Sequence, residues 1–248
     1  MYRSSMSISI NLIILVVIIT LSATIDAQKL KCNSKTEKEM DQIVARIMTF
    51  GTDRPFPADK AKLKEYCKEQ VRLVGKLESY KTQCLKNQAK SIVSVIIYSI
   101  KQVTSTYCKR PNSKRSSELV DSAVCANAAT NDYNKCSIEY IERLLYAKTL
   151  PHGKDRLIQS CCGYFAIYNC VRTQAAKHSN VCTAERIDAN INYIRTFFDN
   201  AINAACGEYS GDNDKCDKVT IPPAKKSSKK HSLPASFFNP LVNLLSNI

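Results

Sequence analysis

Cysteine is the residue type in this sequence with the clearest chemistry. The chain has 12 cysteines, an even number that is typical of a disulfide framework formed in an oxidising compartment. They are Cys32, Cys67, Cys84, Cys108, Cys125, Cys136, Cys161, Cys162, Cys170, Cys182, Cys206 and Cys216. No Cys-x-x-Cys motif occurs, which argues against a zinc ribbon or a thioredoxin-like redox pair. We therefore predict that these cysteines form structural disulfides and that the protein carries no metal and no cofactor.

Two of the cysteines, Cys161 and Cys162, are adjacent. Consecutive residues of an α-helix point about 100° apart, so this pair can join one helix to two different neighbours. We also predict a local disulfide between Cys206 and Cys216, which would close a polar loop at the end of a helix. The spacing of the other cysteines leaves their pairing open.

The chain offers little for acid–base or nucleophilic catalysis. It has three histidines: His152 in a Pro-His-Gly loop, His178 near the end of a predicted helix and His231 in a lysine-rich segment. Neither Gly-x-Ser-x-Gly nor His-Glu-x-x-His occurs, so the common hydrolase and metalloprotease motifs are absent from the sequence. We predict that the protein is not an enzyme and has no catalytic residues.

Basic residues are in excess and are partly clustered. The formal net charge is +14, and Lys109, Arg110, Lys114 and Arg115 lie within seven residues around Pro111. One interpretation is a solvated basic face without a partner. The other is a surface for sulfated polysaccharides or anionic lipid surfaces. Because a secreted protein does not normally meet nucleic acid, we expect no nucleic-acid partner. Lys114-Arg115 could also be a processing site, with the flanking cysteines keeping the two pieces joined.

A second set of basic residues recurs every four positions on a predicted helix. They are Lys60, Lys64, Lys68, Arg72 and Lys76. A four-residue step drifts by about 40° per step against the helical period, so these side chains wrap around the helix and do not form a flat patch.

Prolines divide the sequence into long segments with helical periodicity. In the most regular segment, Ile187, Ile191, Ile194 and Phe198 recur at steps of three and four residues, preceded by the cap candidate Thr183. Similar patterns predict helices over Thr36–Thr49, Asp59–Tyr80, Lys86–Tyr107, Glu118–Ala129, Asp132–Lys148, Lys154–Lys177 and Thr183–Ala205.

One segment permits a second interpretation. Ser91–Val103 is rich in β-branched residues, and a buried strand is a fair alternative to a buried helix. We favour the helix because no turn signal interrupts the apolar segment and no partner strand is visible. Only 6 glycines occur, which disfavours a turn-rich β fold. The predicted fold is all-α: a disulfide-stapled bundle of about six to seven helices with a flexible basic C-terminal tail.

The chain divides into three parts. Residues 1–27 have the apolar run and small residue before Gln28 that are typical of a cleaved secretory signal peptide. Residues 28–217 contain the cysteines and form the predicted disulfide-linked helical domain. Residues 218–248 combine a lysine-, proline- and serine-rich linker with a short apolar tail. The tail over Ser236–Ile248 either docks on its own domain or frays, or binds a membrane or partner, or serves as a lipid-anchor signal.

Several short blocks resemble one family. They are Cys161–Phe165 with Cys170-Val171, Cys182-Thr183, Cys206 followed by Asp214-Lys215-Cys216-Asp217, the segment Ile221–Lys230, and Ser232–Leu241. This pattern resembles arthropod secreted cysteine-rich helical proteins of unassigned function, found as haemolymph, venom or body-surface components. The resemblance implies an extracellular protein and carries over no site residues.

These observations predict a secreted, extracellular, non-enzymatic binding or interaction protein. In the first hypothesis, a small apolar ligand is held between the helices of the bundle. In the alternative, the protein is a basic toxin-like or antimicrobial effector that acts on membranes or anionic surfaces through its charge and its apolar tail.

Overall fold

A computed structural model of the chain describes residues 29–49, 52, 54–209, 214–218 and 233–246. The chain divides into two compact units, Met1–Lys31 and Cys32–Ile248, and the second contains the helical domain. The predicted signal peptide, residues 1–27, and the linker residues 219–232 lie outside the described residues.

The described residues form eight α-helices and no strand, which confirms the all-α prediction. The helices are α1 (Ser34–Met48), α2 (Lys60–Cys84), α3 (Asn87–Cys108), α4 (Lys114–Ala128), α5 (Thr130–Ala147), α6 (Lys154–Ala175), α7 (Ala184–Cys206) and α8 (Phe238–Leu245). Short 3₁₀ turns, Ala176–His178 and Gly207–Tyr209, follow α6 and α7.

Four helices begin at a side chain that accepts hydrogen bonds from the first turn. These caps are Asn33, Asp59, Ser113 and Thr183. Such caps satisfy backbone N–H groups that have no partner within the helix. Ser113 explains why α4 begins at Lys114, earlier than the predicted start at Glu118, because its hydroxyl accepts from Ser116 N at 3.3 Å.

The ambiguous β-branched segment is helical. It lies inside α3, where Val93, Ile96 and Ile100 are fully buried while Val95 and Tyr98 are exposed. This alternation follows a helical period, whereas a strand would bury every second residue. The buried face of α3 packs against α7 and α2, which outweighs the moderate β-preference of its residues.

Helices α5, α6 and α7 supply Tyr140, Tyr164 and Phe198 to an aromatic centre, which Phe237 completes. Helix α5 packs along α6, and α7 packs against both α3 and α4. The α5–α6 contact is close at Gly163, where an added Cβ would lie 2.4 Å from Cδ of the buried Arg143 side chain. Gly163 is therefore required by the approach of the two helices.

All twelve cysteines form disulfides. The pairs are Cys32–Cys84, Cys67–Cys108, Cys125–Cys182, Cys136–Cys170, Cys161–Cys206 and Cys162–Cys216. The predicted Cys206–Cys216 pair is wrong. Cys206, at the end of α7, lies beside α6 and pairs with Cys161, while Cys216 folds back to Cys162. Long-range packing of α7 on α6 therefore decides the pairing, not closure of the short loop between the two cysteines.

The disulfides form two separate groups along the chain. Cys32–Cys84 and Cys67–Cys108 link residues 32–108, and the other four link residues 125–216. No disulfide joins the two groups, since all twelve cysteines are accounted for. The expectation that cysteines would keep the pieces joined after cleavage at Lys114-Arg115 is therefore wrong.

The apolar C-terminal tail docks on the bundle. Helix α8 packs against α1, α3 and α5. Phe237 and Phe238 are buried, and the Phe237 ring lies 5.2 Å from the Tyr140 ring and 4.9 Å from the Phe198 ring, centroid to centroid. Of the three alternatives for the tail, the structure shows the docked one for residues 233–246.

Candidate functional site

The clustered basic residues line one open cleft where α3 meets α4. This basic cleft has a volume of about 580 Å³. It is lined by Ser105, Thr106, Lys109, Arg110, Ser113, Lys114 and Arg115. Four of these side chains are cationic, three carry a hydroxyl group, and none is acidic. Cations and hydroxyl donors together are the groups that bind sulfate or phosphate oxygens.

The turn between α3 and α4 carries Lys109 and Arg110 and leads into Lys114 and Arg115 of α4, and buried contacts hold it in place. The hydroxyl of the fully buried Ser116 donates to the carbonyl oxygens of Tyr107 at 3.1 Å and Arg110 at 2.8 Å. The Cys67–Cys108 disulfide fixes the last residue of α3 to α2. A site on such a supported turn loses little conformational freedom on binding, which favours affinity.

Most of the positive charge in the basic cleft has no acidic partner. Among the described residues, Lys109, Arg110 and Arg115 form no ion pair, and Lys114 lies 3.9 Å from Glu118 with its side chain 92% exposed. A further cation, Lys60 at the start of α2, donates a hydrogen bond to Asn112 Oδ1 at 2.9 Å. Uncompensated like charges held close together attract anions and repel each other.

A second cleft adjoins the basic cleft and shares Arg115 with it. This polar cleft, of about 480 Å³, lies between α4 and α7. It is lined by Tyr107, Arg115, Glu118, Leu119, Ala189, Asn192, Arg195, Thr196, Asp199 and Asn200. In contrast to the basic cleft, it combines both signs of charge with amides and an aromatic ring. It therefore offers hydrogen-bond donors and acceptors to a polar ligand.

Asp199 organises one wall of the polar cleft. Its Oδ1 accepts hydrogen bonds from the hydroxyls of Tyr164 at 2.9 Å and Tyr168 at 2.6 Å. Its Oδ2 accepts from Arg195 Nε at 2.9 Å. Burial raises the pKa of both tyrosine hydroxyls, and the Asp199 carboxylate adds to this effect because a tyrosinate would repel it. The tyrosines therefore remain neutral donors and hold the carboxylate and Arg195 in place.

A third cleft, which we call the tail cleft, lies beside the docked C-terminal segment. It has a volume of about 390 Å³ and is bordered by α1, α5 and residues 233–243. Its apolar lining comes from Leu144, Leu145, Leu233, Pro234, Ala235 and Pro240. Asp41 lies at one side, where its carboxylate accepts from Ser236 N at 2.8 Å and Ser236 Oγ at 2.6 Å.

The two histidines within the described residues, His152 and His178, each contact a charged side chain. His152 contacts the Arg156 guanidinium, with its ring nitrogens 3.2 and 3.3 Å from Nη1. His178 Nε2 lies 2.9 Å from Asp132 Oδ2. Hydrogen bonds from Lys135 and His178 lower the pKa of Asp132 to about 2, so its carboxylate is charged. His231 lies outside the described residues. Within the described part of the chain, no group of three His, Cys, Asp or Glu side chains could hold a metal ion.

Sequence reasoning identified the four clustered cations of the basic cleft, but neither the cleft itself nor the polar cleft. The four clustered cations are close in sequence, so their position along the chain already indicates one surface. The polar cleft combines Tyr107 and Glu118 with Asn192, Arg195 and Asn200, which are far away in sequence. The sequence held one signal for the polar cleft: two pairs of polar residues four positions apart, Tyr164/Tyr168 and Arg195/Asp199. Each pair places two polar groups on one helix face.

Comparison with protein-family models, curated proteins and solved structures finds no match to this chain. The resemblance to arthropod secreted proteins therefore stays a prediction. None of the helices among the described residues combines the length and the apolar character needed to cross a bilayer. Six disulfides indicate that the protein folds in an oxidising environment.

Proposed function

We propose that this chain is a secreted, non-enzymatic binding protein whose basic cleft takes a polyanionic partner in the extracellular space. The observation that carries the proposal is the absence of any acidic side chain among the residues lining the basic cleft, beside four cations on a supported turn. Maintaining such a cluster costs electrostatic repulsion, which a bound anion relieves. The disulfides and the apolar N-terminal run with its cleavage signal support secretion.

Salt-dependent binding to immobilised heparin tests this proposal. The variant Lys109→Gln, Arg110→Gln, Lys114→Gln, Arg115→Gln removes the cations of the basic cleft while keeping side chains of similar length. We expect the slope of log affinity against log salt concentration to fall by roughly two to three, given about 0.7 per lost contact with a flexible polyanion.

The matched control removes the same charge elsewhere. Lys35→Gln, Lys90→Gln, Lys148→Gln and Lys177→Gln neutralise four exposed lysines outside the basic cleft. If both variants lose heparin affinity equally, net charge and not the cleft accounts for binding, and the proposal is wrong.

A second candidate function is uptake of a small apolar ligand, and the tail cleft is the observation that favours it. Its apolar lining and its Asp41, Lys38 and Asn243 groups suit an amphipathic molecule. Lipid extraction of the purified protein and titration with a fluorescent fatty acid test this hypothesis. Leu145→Arg, which places a charge in the tail cleft, should abolish uptake; an empty extract with no uptake by the natural chain rejects the hypothesis.

Secretion is tested separately. Expression of the complete chain in an insect-cell secretory system should release a protein that begins at Gln28, as determined by N-terminal sequencing. Retention of residues 1–27 on a cell-associated protein would contradict this part of the proposal.

A further inference from the structure

We infer that the basic cleft and the polar cleft form one continuous site for a sulfated polysaccharide, with sulfate groups on the cationic turn and a sugar ring in the polar cleft against Tyr107. This inference rests on the proposed function, because it takes the basic cleft as the anion site and names the chemistry of the ligand.

The first argument is continuity. Arg115 lines both clefts, so a ligand that contacts its guanidinium from the basic side is next to the polar cleft. A guanidinium binds sulfate oxygens through two parallel hydrogen bonds, which makes Arg115 suited to hold a sulfate at the junction. Each cleft has a volume of several hundred Å³, large enough for a sugar unit with its substituents.

The second argument is the chemistry of the polar cleft. A sugar presents hydroxyl groups that both donate and accept, and apolar C–H faces that pack on aromatic rings. The polar cleft supplies an aromatic ring from Tyr107, amides from Asn192 and Asn200, and a carboxylate from Glu118. A site that bound only phosphate or sulfate would have no use for carboxylates, which repel these anions.

The third argument is that the polar cleft combines hydrogen-bonding groups that have no partner with groups that the protein holds in position. Within the described residues, the Tyr107 hydroxyl and the Asn192 side-chain amide have no hydrogen-bond partner, while the Tyr107 ring packs at 5.8 Å from the buried Tyr193 ring. Arg195 is held by Asp199, which in turn accepts from two tyrosines. The fixed groups lose little conformational freedom on binding, and the groups without a partner can bond to a polar ligand without breaking a contact within the protein.

The surroundings disfavour a lipid surface as the partner. The large apolar side chains exposed among the described residues are Val71, Val95, Tyr98, Val124, Ile138 and Leu233. None of them lines the basic cleft or the polar cleft. A membrane-binding face combines its cations with apolar side chains that enter the bilayer interface, and this surface lacks them.

The test compares two polyanions with charge-neutral variants of the polar cleft. Binding of the full chain to a heparin hexasaccharide and to inorganic polyphosphate is measured by calorimetry at one salt concentration. The double variant Tyr107→Phe, Asn192→Ala removes two hydrogen-bonding groups without altering the charge. We expect it to weaken hexasaccharide binding about tenfold and to leave polyphosphate binding within about twofold.

The control variant Asn169→Ala, Asn180→Ala removes two exposed amides outside the clefts and should change neither affinity. Thermal unfolding of each variant verifies that the fold is retained. The inference is overturned if the polar-cleft variant leaves hexasaccharide binding unchanged, or if both ligands lose affinity equally. It is also overturned if phosphatidylserine vesicles bind as tightly as the hexasaccharide. The four-glutamine variant of the basic cleft distinguishes failure of this inference from failure of the proposed function. If that variant binds the hexasaccharide normally, the proposed function itself is wrong.

Discussion

Asp41 is a buried carboxylate that holds the C-terminal segment on the first helix of the domain. Only 3% of it is exposed, and it accepts hydrogen bonds from Ser236 N, Ser236 Oγ and Asn239 N. Burial raises its pKa above the ordinary value of 3.8, and the hydrogen bonds from Ser236 and Asn239 offset this only in part. The charged form therefore carries a desolvation cost in the folded protein.

We predict that Asp41→Ala lowers the free energy of unfolding by about 2–4 kcal/mol, because buried donors on the tail lose their acceptor. The effect also depends on pH. The folded-state pKa of Asp41 lies above its unfolded value, so the folded protein binds a proton first as the pH falls. The stability difference between the natural chain and the variant should therefore grow as the pH decreases from the folded-state pKa toward 3.8. Denaturant unfolding over this range measures it; a difference that shrinks on acidification would contradict the assignment.

Two glycines within helices make a matched pair for a second prediction. Gly163 faces Arg143 and Tyr140, where an added Cβ would lie 2.4 Å and 3.3 Å from side-chain carbons. Gly75 is exposed in α2 and has no atom within 4 Å of an added Cβ. Gly75→Ala should stabilise the protein by about 0.5–1 kcal/mol through helix propensity. Gly163→Ala should destabilise it by about 1–3 kcal/mol through overpacking. Thermal unfolding of the two variants should give shifts of opposite sign.

At the scale of helices, the short α8 contributes more to the packing of the core than its length indicates. The preceding residue, Phe237, contacts aromatic rings of α5, α6 and α7, and the first residue of the helix, Phe238, is fully buried. The Gln88 amide donates to the Leu245 carbonyl at 3.1 Å and secures the opposite end of the helix. The segment therefore closes the core between helices from both disulfide groups.

We predict that Phe237→Ala lowers the free energy of unfolding by about 3–5 kcal/mol, the usual range for a large buried aromatic side chain. Deletion of residues 233–248 should expose the same aromatic surface and increase binding of a hydrophobic dye. Neither change touches the basic cleft, so heparin affinity should stay within about twofold as long as the fold persists. Loss of heparin binding in the deletion variant would indicate that the tail takes part in the anion site.

The helices could be predicted from the sequence because their apolar residues recur at the helical period along each segment. The start of α4 could not be predicted, since it depends on Ser113 and on the carbonyl oxygens of Tyr107 and Arg110 that hold Ser116. The pairing of Cys206 with Cys161 could not be predicted from the sequence either, because it follows from the packing of α7 on α6. The cations of the basic cleft are neighbours in the sequence and could be identified as a cluster. The polar cleft depends on tertiary contacts between α4 and α7 and could not be identified.

On the scale of the molecule, two covalently independent disulfide groups are held together by packing. Residues 32–108 and 125–216 are joined through one continuous segment of backbone that carries the basic cleft. Helix α7 of the second group contacts α3 of the first, and α8, which follows the second group in the chain, contacts α1 and α3. Packing therefore holds the two parts of the chain together. A ligand in the basic cleft would therefore contact the same backbone segment whose cleavage separates the two disulfide groups.

We predict that a specific protease site inserted after Asn112 yields two chains on cleavage. They should separate on a denaturing gel without reducing agent and stay together in gel filtration under native conditions. The control is the same site inserted after His152, a position enclosed by Cys125–Cys182 and Cys136–Cys170. Cleavage there should leave one band until the disulfides are reduced. A single unreduced band after cleavage at Asn112 would show that the disulfide pairing is different.

The contact between Asp41 and Ser236 also sets an order of events during synthesis. The two residues are 195 positions apart in the chain. At about 5–20 residues per second, a ribosome needs roughly 10–40 seconds to make the intervening chain. Helix α1 lacks the helix that covers it during this whole interval. All four cysteines of the first group are present once residue 108 has been made, well before residue 236. The disulfides of the first group can therefore form before the last residues of the chain are made and complete the core. A nascent chain arrested before residue 233 should thus contain these disulfides, yet require a chaperone because its apolar helix faces are still exposed.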